Sequence, residues 1–204
     1  MKLYYSAGAC SLGIHVLLEE IGKPYEAIPV NLREGEQTKP PFTDLNPKSK
    51  VPTLVKDDGS VLTEFPAIAY WLGRTNPATQ LLPEGVDEQA RVLEAMDYAV
   101  ATVHMQGFTR LFRPSNFSRS AGDEEAVKAR GKEIIDKGFK LFDKALEGKQ
   151  FVAGPFSVAD CALFYVETWA GRFGIPMPAN VAAHFDRMKA RPAVQAVLKA
   201  EGLV

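Results

Sequence analysis

The chain has 204 residues, of which 46% are hydrophobic and 24% charged, and its formal net charge is -1. This length and composition indicate a globular protein with a sizeable buried core, built as one large or two small domains. The balanced charge argues against general attraction to nucleic acid or anionic lipid, and no apolar run is long enough to span a bilayer.

The first part of the chain predicts a strand–helix–strand unit. Residues 2–6 form a short segment with two aromatic residues, which is typical of a buried strand. Apolar residues then recur every three or four positions over 14–21, which indicates an amphipathic helix, and Gly22 ends it. Residues 24–30 predict a second strand. Pro29 places that strand at a sheet edge, because proline cannot donate to a ladder.

A hairpin and a helix complete the predicted first domain, residues 1–76. Residues 31–50 are polar and rich in proline, so we expect a loop with some short helix. Residues 53–56 and 60–63 flank an Asp-Asp-Gly turn and predict a β-hairpin. A helix follows with Pro66 in its first turn, where a missing N–H costs little.

Helical patterns dominate the rest of the chain. Residues 77–86 contain two prolines, show no period and predict an interdomain linker. A polar break is expected over residues 113–122. The predicted helices of an all-helical domain over 87–204 cover residues 87–112, 123–148, 157–173 and 181–201, the last interrupted at Arg191-Pro192.

The cysteines and the first residues indicate a reducing compartment. The spacing of Cys10 and Cys161 fits neither a disulfide framework nor a zinc site. The N-terminal residues enter a strand pattern directly and lack the long apolar stretch of a signal peptide. We therefore expect a cytoplasmic protein that uses no metal.

Cys10 lies at the predicted turn between the first strand and the first helix. The unpaired N–H groups and the positive dipole end of a helix favour a thiolate at this position. A small buried apolar residue is the alternative, but the flanking Gly8, Ala9 and Ser11 do not form a core pattern. Gly13 stands where a second cysteine would make a dithiol motif, so a dithiol redox cycle is not predicted.

Two further stretches predict a peptide-binding edge. A cis bond at Val51-Pro52 would turn the Val51 N–H and C=O outward, where they pair with an extended peptide. Glu64 opens the following helix; its carboxylate suits an ammonium, and the N–H groups beside Phe65 suit a carboxylate. An ordinary trans turn and simple dipole compensation are the alternatives. With the Cys10 turn, these features predict a thioredoxin-like domain that holds a thiol peptide, glutathione.

The second domain offers one candidate functional histidine. His104 shares a helix face with Asp97, Val100 and Phe108, and this mixed stripe either lines a cleft or is structural. The sequence from Ser157 to Asp160 has the form of a capping box, which we interpret as structural.

The chain resembles the cytosolic glutathione S-transferases, and most closely the bacterial beta class, over essentially its whole length. The N-terminal marks of this resemblance are Lys2-Leu3-Tyr4-Tyr5, Ala9-Cys10-Ser11-Leu12, Asn46-Pro47-Lys48, Val51-Pro52 and Leu62-Thr63-Glu64 with Ala67-Ile68. The C-terminal marks are Val103-His104, Phe156-Ser157-Val158-Ala159-Asp160 with Trp169, Arg191-Pro192 and Glu201-Gly202-Leu203.

The resemblance implies an α/β thioredoxin-like domain followed by an all-α domain, in a homodimer that uses glutathione as co-substrate for detoxification. It implies that Cys10 faces the glutathione sulfur, that Val51, before a cis Pro52, pairs with the cysteinyl backbone, and that Glu64 and Phe65 hold the γ-glutamyl end. Further candidate site residues are His104 near the reacting sulfur, Asp97 toward the partner's glutathione, Arg33 and Lys50 for the glycyl carboxylate, Tyr5 and Ser11 as rival donors to sulfur, and Phe108, Phe112 and Trp169 in the electrophile pocket.

Three positions depart from the family pattern. Phe65 stands where serine or glycine is usual, which removes a hydroxyl but keeps the backbone N–H. Met105 replaces a lysine of close relatives, and Ser49 replaces a common glycine.

The sequence thus predicts a transferase that conjugates the glutathione thiolate to small hydrophobic electrophiles. One alternative is a thiol transferase or peroxidase that forms a mixed disulfide at Cys10. The other is a non-catalytic module that binds glutathione or another ligand. Neither nucleic acid nor a membrane is expected as a partner.

Overall fold

The computed structural model describes residues 1–120 and 122–204, which form two compact units. The first unit comprises Met1–Leu82 and Lys189–Val204, and the second comprises Pro83–Met188. The predicted domains over 1–76 and 87–204 and the linker between them stay a prediction, and the compact units differ from these domains by placing the last helix with the first unit.

The first unit contains a four-stranded mixed sheet in the order β2-β1-β3-β4. β1 pairs in parallel with β2 and antiparallel with β3, which pairs antiparallel with β4. β2 lies at an edge, as Pro29 predicted. The strands are β1 (Lys2–Tyr5), β2 (Glu26–Pro29), β3 (Thr53–Val55) and β4 (Val61–Thr63).

Four helices accompany this sheet. The predicted first helix is confirmed, and Gly22 ends it in the left-handed conformation, with φ of 70°. Helix α9 packs against α1, and Arg191 forms two hydrogen bonds of 2.6 and 2.9 Å to the Glu20 carboxylate. The helices are α1 (Ser11–Ile21), the short α2 (Phe42–Leu45), α3 (Phe65–Thr75) and α9 (Pro192–Ala200).

The second unit is helical. Helical backbone runs over residues 86–112, close to the single helix predicted over 87–112. Its middle part, Tyr98–Phe108, is π-helical, which the sequence did not predict. The predicted break over 113–122 contains a short turn at Pro114–Asn116, and Ala121 lies outside the described residues. The helices are α4 (Val86–Asp97), α5 (Thr109–Phe112), α6 (Glu124–Ala145), the buried α7 (Val158–Phe173) and α8 (Ala179–Lys189). None of the helices within 1–120 and 122–204 combines the length and apolar character that crossing a membrane requires.

The π-helical segment and α6 approach each other through glycines. A Cβ on Gly131 of α6 would lie 2.9 Å from the Gly107 carbonyl oxygen and 2.9 Å from the Arg110 Cβ. A Cβ on Gly138 would lie 2.5 Å from the Val103 side chain. These contacts leave no room for a methyl group, so glycine is a packing requirement here.

A buried charged cluster joins α7 to α8. The capping box is confirmed: Ser157 accepts from the Ala159 N–H, and Asp160 accepts from the Ser157 N–H. His184 Nδ1 lies 2.8 Å from Glu167 Oε1, and its Nε2 lies 3.2 Å from Asp160 Oδ1. Burial opposes charge on His184, but the neighbouring charge of Glu167 and hydrogen bonds to both carboxylates outweigh it and raise its pKa to about 9.

Replacing Gly131 with alanine should destabilise the fold by about 1 to 3 kcal/mol, because the methyl group meets backbone. Gly171 on α7 is the matched control, since a Cβ there meets nothing within 4 Å. Gly171→Ala should stabilise by about 0.5 to 1 kcal/mol through helix propensity. Urea denaturation of both variants measures the difference, and equal stabilities would contradict the close approach.

The His184 cluster predicts a pH dependence of stability. The folded-state pKa of about 9 lies above the ordinary value of 6.5. The stabilisation is therefore fully present below about pH 6.5 and is lost as pH rises through about 9. Denaturant unfolding across this range should show wild type losing stability relative to His184→Gln. If the free energies of unfolding of the two proteins changed with pH in parallel, His184 would be uncharged in the folded protein over this range.

Candidate active site

A turn over residues 6–10, here called the thiol turn, joins β1 to α1. The Ala9 N–H donates to the Ser6 carbonyl at 2.9 Å, and Gly8 adopts a φ of 66°, which favours glycine. Cys10 immediately precedes the helix and is half-buried. Its Sγ donates to the Val51 carbonyl oxygen at 3.4 Å. The turn predicted at Cys10 is present and lies beside Val51.

The sequence predicted that the position of Cys10 favours a thiolate, and this prediction is wrong. Burial raises the pKa of the Cys10 thiol to about 12. The N–H groups of Cys10 and Ser11 and the charge of Lys50 act in the opposite direction but are outweighed. The helix N-terminus thus contributes as expected, but the loss of water around the sulfur dominates. Cys10 is a neutral hydrogen-bond donor at neutral pH.

The two rival donors have other roles within the first unit. Ser11 is buried, and its hydroxyl donates to the Ser6 carbonyl at 3.2 Å and accepts the Ser6 N–H at 3.1 Å. The Tyr5 ring packs on the buried His15 ring at a centroid distance of 5.0 Å. Burial and then the charge of Glu201 raise the pKa of Tyr5. This geometry does not support direct contact of Ser11 with a ligand sulfur, because its hydroxyl already closes the thiol turn.

A distant carboxylate supports the thiol turn. Glu201 Oε2 accepts the Gly8 N–H at 2.8 Å, and Oε1 lies 2.8 Å from His15 Nδ1. Both the Glu201 and His15 side chains are buried. Sequence reasoning missed this contact because Gly8 and Glu201 are 193 residues apart.

Val51 presents the predicted peptide edge. The Val51–Pro52 bond is cis, as predicted. The Val51 carbonyl accepts the Cys10 thiol, while its N–H has no acceptor among the residues that the structure describes. The Val51 side chain is buried with Val30 and Phe42, so this backbone is held firmly in place. An extended ligand would find a donor and an acceptor here.

The loop that carries Val51 is organised by one buried asparagine. Asn46 Nδ2 donates to the Lys50 carbonyl and to Thr53 Oγ1, both at 2.8 Å, and its Oδ1 accepts the Lys48 N–H at 3.1 Å. Ser49 adopts a φ of 56°. This left-handed conformation gives a physical reason for the glycine that the family commonly has at that position.

Glu64 also has unusual backbone geometry. It precedes α3 with a φ of 71° and a ψ of 126°, a conformation that non-glycine residues rarely adopt. Its Oε1 accepts a hydrogen bond of 2.8 Å from Lys48 Nζ, which also donates to Thr63 Oγ1 at 2.9 Å. The side chain of Phe65 is buried. Sequence reasoning included Lys48 in a family mark but missed its contact with Glu64.

The two candidates for the glycyl carboxylate are both exposed. The charge of Lys50 lowers the pKa of the Cys10 thiol, so its field reaches that sulfur. The Arg33 N–H donates to Asn31 Oδ1 at 3.1 Å. Lys50 therefore lies within electrostatic range of the thiol turn.

The helical unit places His104 in an aromatic cluster. His104 Nδ1 lies 3.2 Å from the Tyr165 hydroxyl, and its ring contacts Trp169 edge to face at 4.7 Å. Phe112 is half-buried and meets Trp169 at 5.1 Å.

Phe108, predicted in the electrophile pocket, is 0% exposed and belongs to the core of this unit. Asp97, predicted to reach toward a partner, is exposed. Within 1–120 and 122–204, no three His, Cys, Asp or Glu residues are grouped in a way that could hold a metal.

The raised pKa of Cys10 predicts slow alkylation at neutral pH. Iodoacetamide reacts with thiolates, so the rate at Cys10 should stay far below that of a free thiol over the whole range from about pH 6 to 10 and should still be rising with pH at its upper end. Mass spectrometry of the intact protein over pH 6 to 10 measures this rate. Cys161 is buried and serves as the internal reference for unfolding. Rapid modification of Cys10 at pH 7 would contradict a neutral thiol.

Comparison with known proteins identifies the family of this chain. Residues 7–75 match the model of the glutathione S-transferase N-terminal domain, and residues 125–200 match that of the C-terminal domain. Glutathione S-transferase GstA of Escherichia coli O157:H7 is 35% identical, with all of both chains covered. A sphingomonad glutathione S-transferase complexed with glutathione is 37% identical, with a TM-score of 0.86 and full coverage of both chains. A bacterial beta-class enzyme of Sphingomonas chungbukensis is 36% identical, with a TM-score of 0.87 and the same coverage. The predicted fold class is confirmed, and the chain belongs to the glutathione S-transferase family.

Proposed function

We propose that this chain is an enzyme that conjugates the glutathione thiolate to small hydrophobic electrophiles. Family membership supports the activity, and the first unit supports it with three features that suit three parts of one tripeptide. These are the thiol turn, the Val51 edge and Glu64 at the start of α3. The observation that carries the proposal is the Val51 backbone, whose N–H has no acceptor among the described residues and whose carbonyl lies 3.4 Å from Cys10 Sγ.

Glutathione would bind as a short added strand. Its cysteinyl backbone pairs with the Val51 N–H and C=O, which places the ligand sulfur beside the thiol turn. Glu64 takes the γ-glutamyl ammonium, and the N-terminus of α3 at Phe65 favours the adjacent carboxylate. Lys50 is the proposed partner of the glycyl carboxylate, with Arg33 as the second choice.

Cys10 would act as a donor in this mechanism. Its thiol is neutral, so the S–H that now points to Val51 is able to turn to a bound thiolate. The N-terminus of α1 adds positive potential at the same place. Both effects lower the pKa of the glutathione thiol, whose proton leaves to solvent. The thiolate then forms a C–S bond with the electrophile as the leaving group departs with its electron pair.

The mixed-disulfide alternative requires a Cys10 thiolate as nucleophile. The raised pKa of Cys10 opposes this requirement, so conjugation is the favoured reaction. The non-catalytic alternative is disfavoured by the family of transferases to which the chain belongs.

Several finer assignments complete the proposal. The proposed contacts of the electrophile in the helical unit are His104, the half-buried Phe112 and the Trp169 that both rings touch, which is buried but still 5% exposed. Phe108, at 0% exposed, is not retained. A homodimer in which Asp97 contributes to the partner's glutathione, a cytoplasmic location and a role in detoxification also belong to the proposal.

The test compares two activities in wild type, Cys10→Ala and Cys10→Ser. Conjugation of a chlorinated nitrobenzene should be present in wild type and fall no more than about tenfold in Cys10→Ala, since only one weak S–H hydrogen bond is lost and the N-terminus of α1 remains. Cys10→Ser retains a donor and should fall less. Reduction of a glutathione mixed disulfide should be weak in all three proteins.

Calorimetric titration with glutathione accompanies these assays. Binding at or below millimolar concentration is expected. Disulfide reduction as the sole activity, abolished in Cys10→Ala, would establish the mixed-disulfide reaction instead. Absence of both activities and of binding would leave a non-catalytic module.

A further inference from the structure

Lys48 joins two segments that border the proposed ligand site. Its Nζ donates to Glu64 Oε1 at 2.8 Å and to Thr63 Oγ1 at 2.9 Å. Thr63 ends β4, and Glu64 immediately precedes α3. The ammonium of Lys48 therefore ties the 46–53 loop to the start of α3.

The backbone on both sides of this contact is constrained. The Lys48 N–H donates to the buried Asn46, and the next residue, Ser49, is left-handed. Glu64 also has a positive φ, of 71°. Non-glycine residues persist in such conformations only where their surroundings hold them, and such residues cluster at ligand-binding sites.

The Glu64 carboxylate has one oxygen left for a ligand. Lys48 engages Oε1, whereas Oε2 has no hydrogen-bond partner among the described residues. The Glu64 side chain is 58% exposed, so without Lys48 it would sample several rotamers. A rotamer that is fixed before binding loses less entropy when the ligand arrives.

We propose that Lys48 is a positioning residue: it holds the Glu64 carboxylate so that Oε2 receives the ammonium of the γ-glutamyl group. This inference rests on the proposed function. Lys48 itself does not touch the ligand. Its effect is specific to the ammonium, because Glu64 is the group through which it acts.

The chain supplies a closely matched control. Lys2 and Glu26 form an ion pair of 3.1 Å in the same unit, with side-chain exposures of 53% and 59%, against 53% and 58% for Lys48 and Glu64. Lys2→Met and Lys48→Met therefore remove the same charge from equally exposed pairs. Only the second pair lies at the proposed site.

The experiment measures binding of two ligands by calorimetry. One is glutathione, and the other is glutaryl-Cys-Gly, which lacks the α-amino group and keeps the carboxylate. Lys48→Met should weaken glutathione binding about three- to fivefold, the size expected for one half-exposed ion pair. Binding of glutaryl-Cys-Gly should not change. Lys48→Arg should restore glutathione affinity, and Lys2→Met should leave both ligands unaffected.

Conjugation kinetics and unfolding add independent readouts. Lys48→Met should raise KM for glutathione with little change in kcat, because the contact acts on binding. The unfolding midpoints of Lys48→Met and Lys2→Met should agree, which excludes a general loss of structure.

Each contrary result has a distinct meaning. Tighter glutathione binding in Lys48→Met would show that Lys48 competes with the ligand, and equal weakening of both ligands would show that it acts on the carboxylate or on the loop. An unchanged affinity for glutathione would show that the contact between Lys48 and Glu64 is a surface ion pair without effect on binding. All three overturn this inference while the proposed function stands. A wild-type protein that does not bind glutathione at millimolar concentration would overturn the proposed function, and this inference with it.

Discussion

The buried amide of Asn46 fixes the loop on which the proposed ligand site depends. Its donors and acceptor engage Lys50, Thr53 and Lys48, at distances of 2.8 to 3.1 Å. A buried amide with satisfied hydrogen bonds tolerates few other arrangements, because each broken bond would leave a polar group without water. The loop is thereby held with Ser49 left-handed and the Val51 backbone turned toward Cys10. The amide thus controls backbone that it does not touch.

The site combines a weakly acidic thiol with exposed charged groups. Cys10 loses water when it packs beside Val51, so its own ionisation is suppressed. Lys48, Lys50 and Glu64 remain exposed to solvent. These exposed residues carry charges of both signs, which complement the charges of a zwitterionic peptide. The sulfur of Cys10, in contrast, stays neutral. This division suits a protein that activates a thiol brought by its substrate.

Much of the fold could be predicted from sequence because local patterns report local structure. The period of α1, the edge position of β2 from Pro29 and the capping box at Ser157 each follow from a few neighbouring residues. The π-helical segment was missed because its buried residues Ala99, Val103 and Gly107 recur every four positions, as they would in an α-helix.

The site was predicted less completely because its energetics are non-local. The position of Cys10 was readable, but its pKa depends on desolvation by residues distant in sequence. Lys48 has the character of any exposed lysine until Glu64 is placed beside it. Phe108 carried the right chemistry for a pocket, but burial on all sides assigns it to the core.

The hydrogen bond from Gly8 to Glu201 has a consequence for the order of folding. It spans 193 residues, so the chain between must be synthesised and looped back before the thiol turn acquires this acceptor. Strand pairing and the first helix require only nearby sequence and are able to form earlier. A nascent chain therefore carries the thiol turn without its carboxylate acceptor until the last helix has been made and has returned to the first unit.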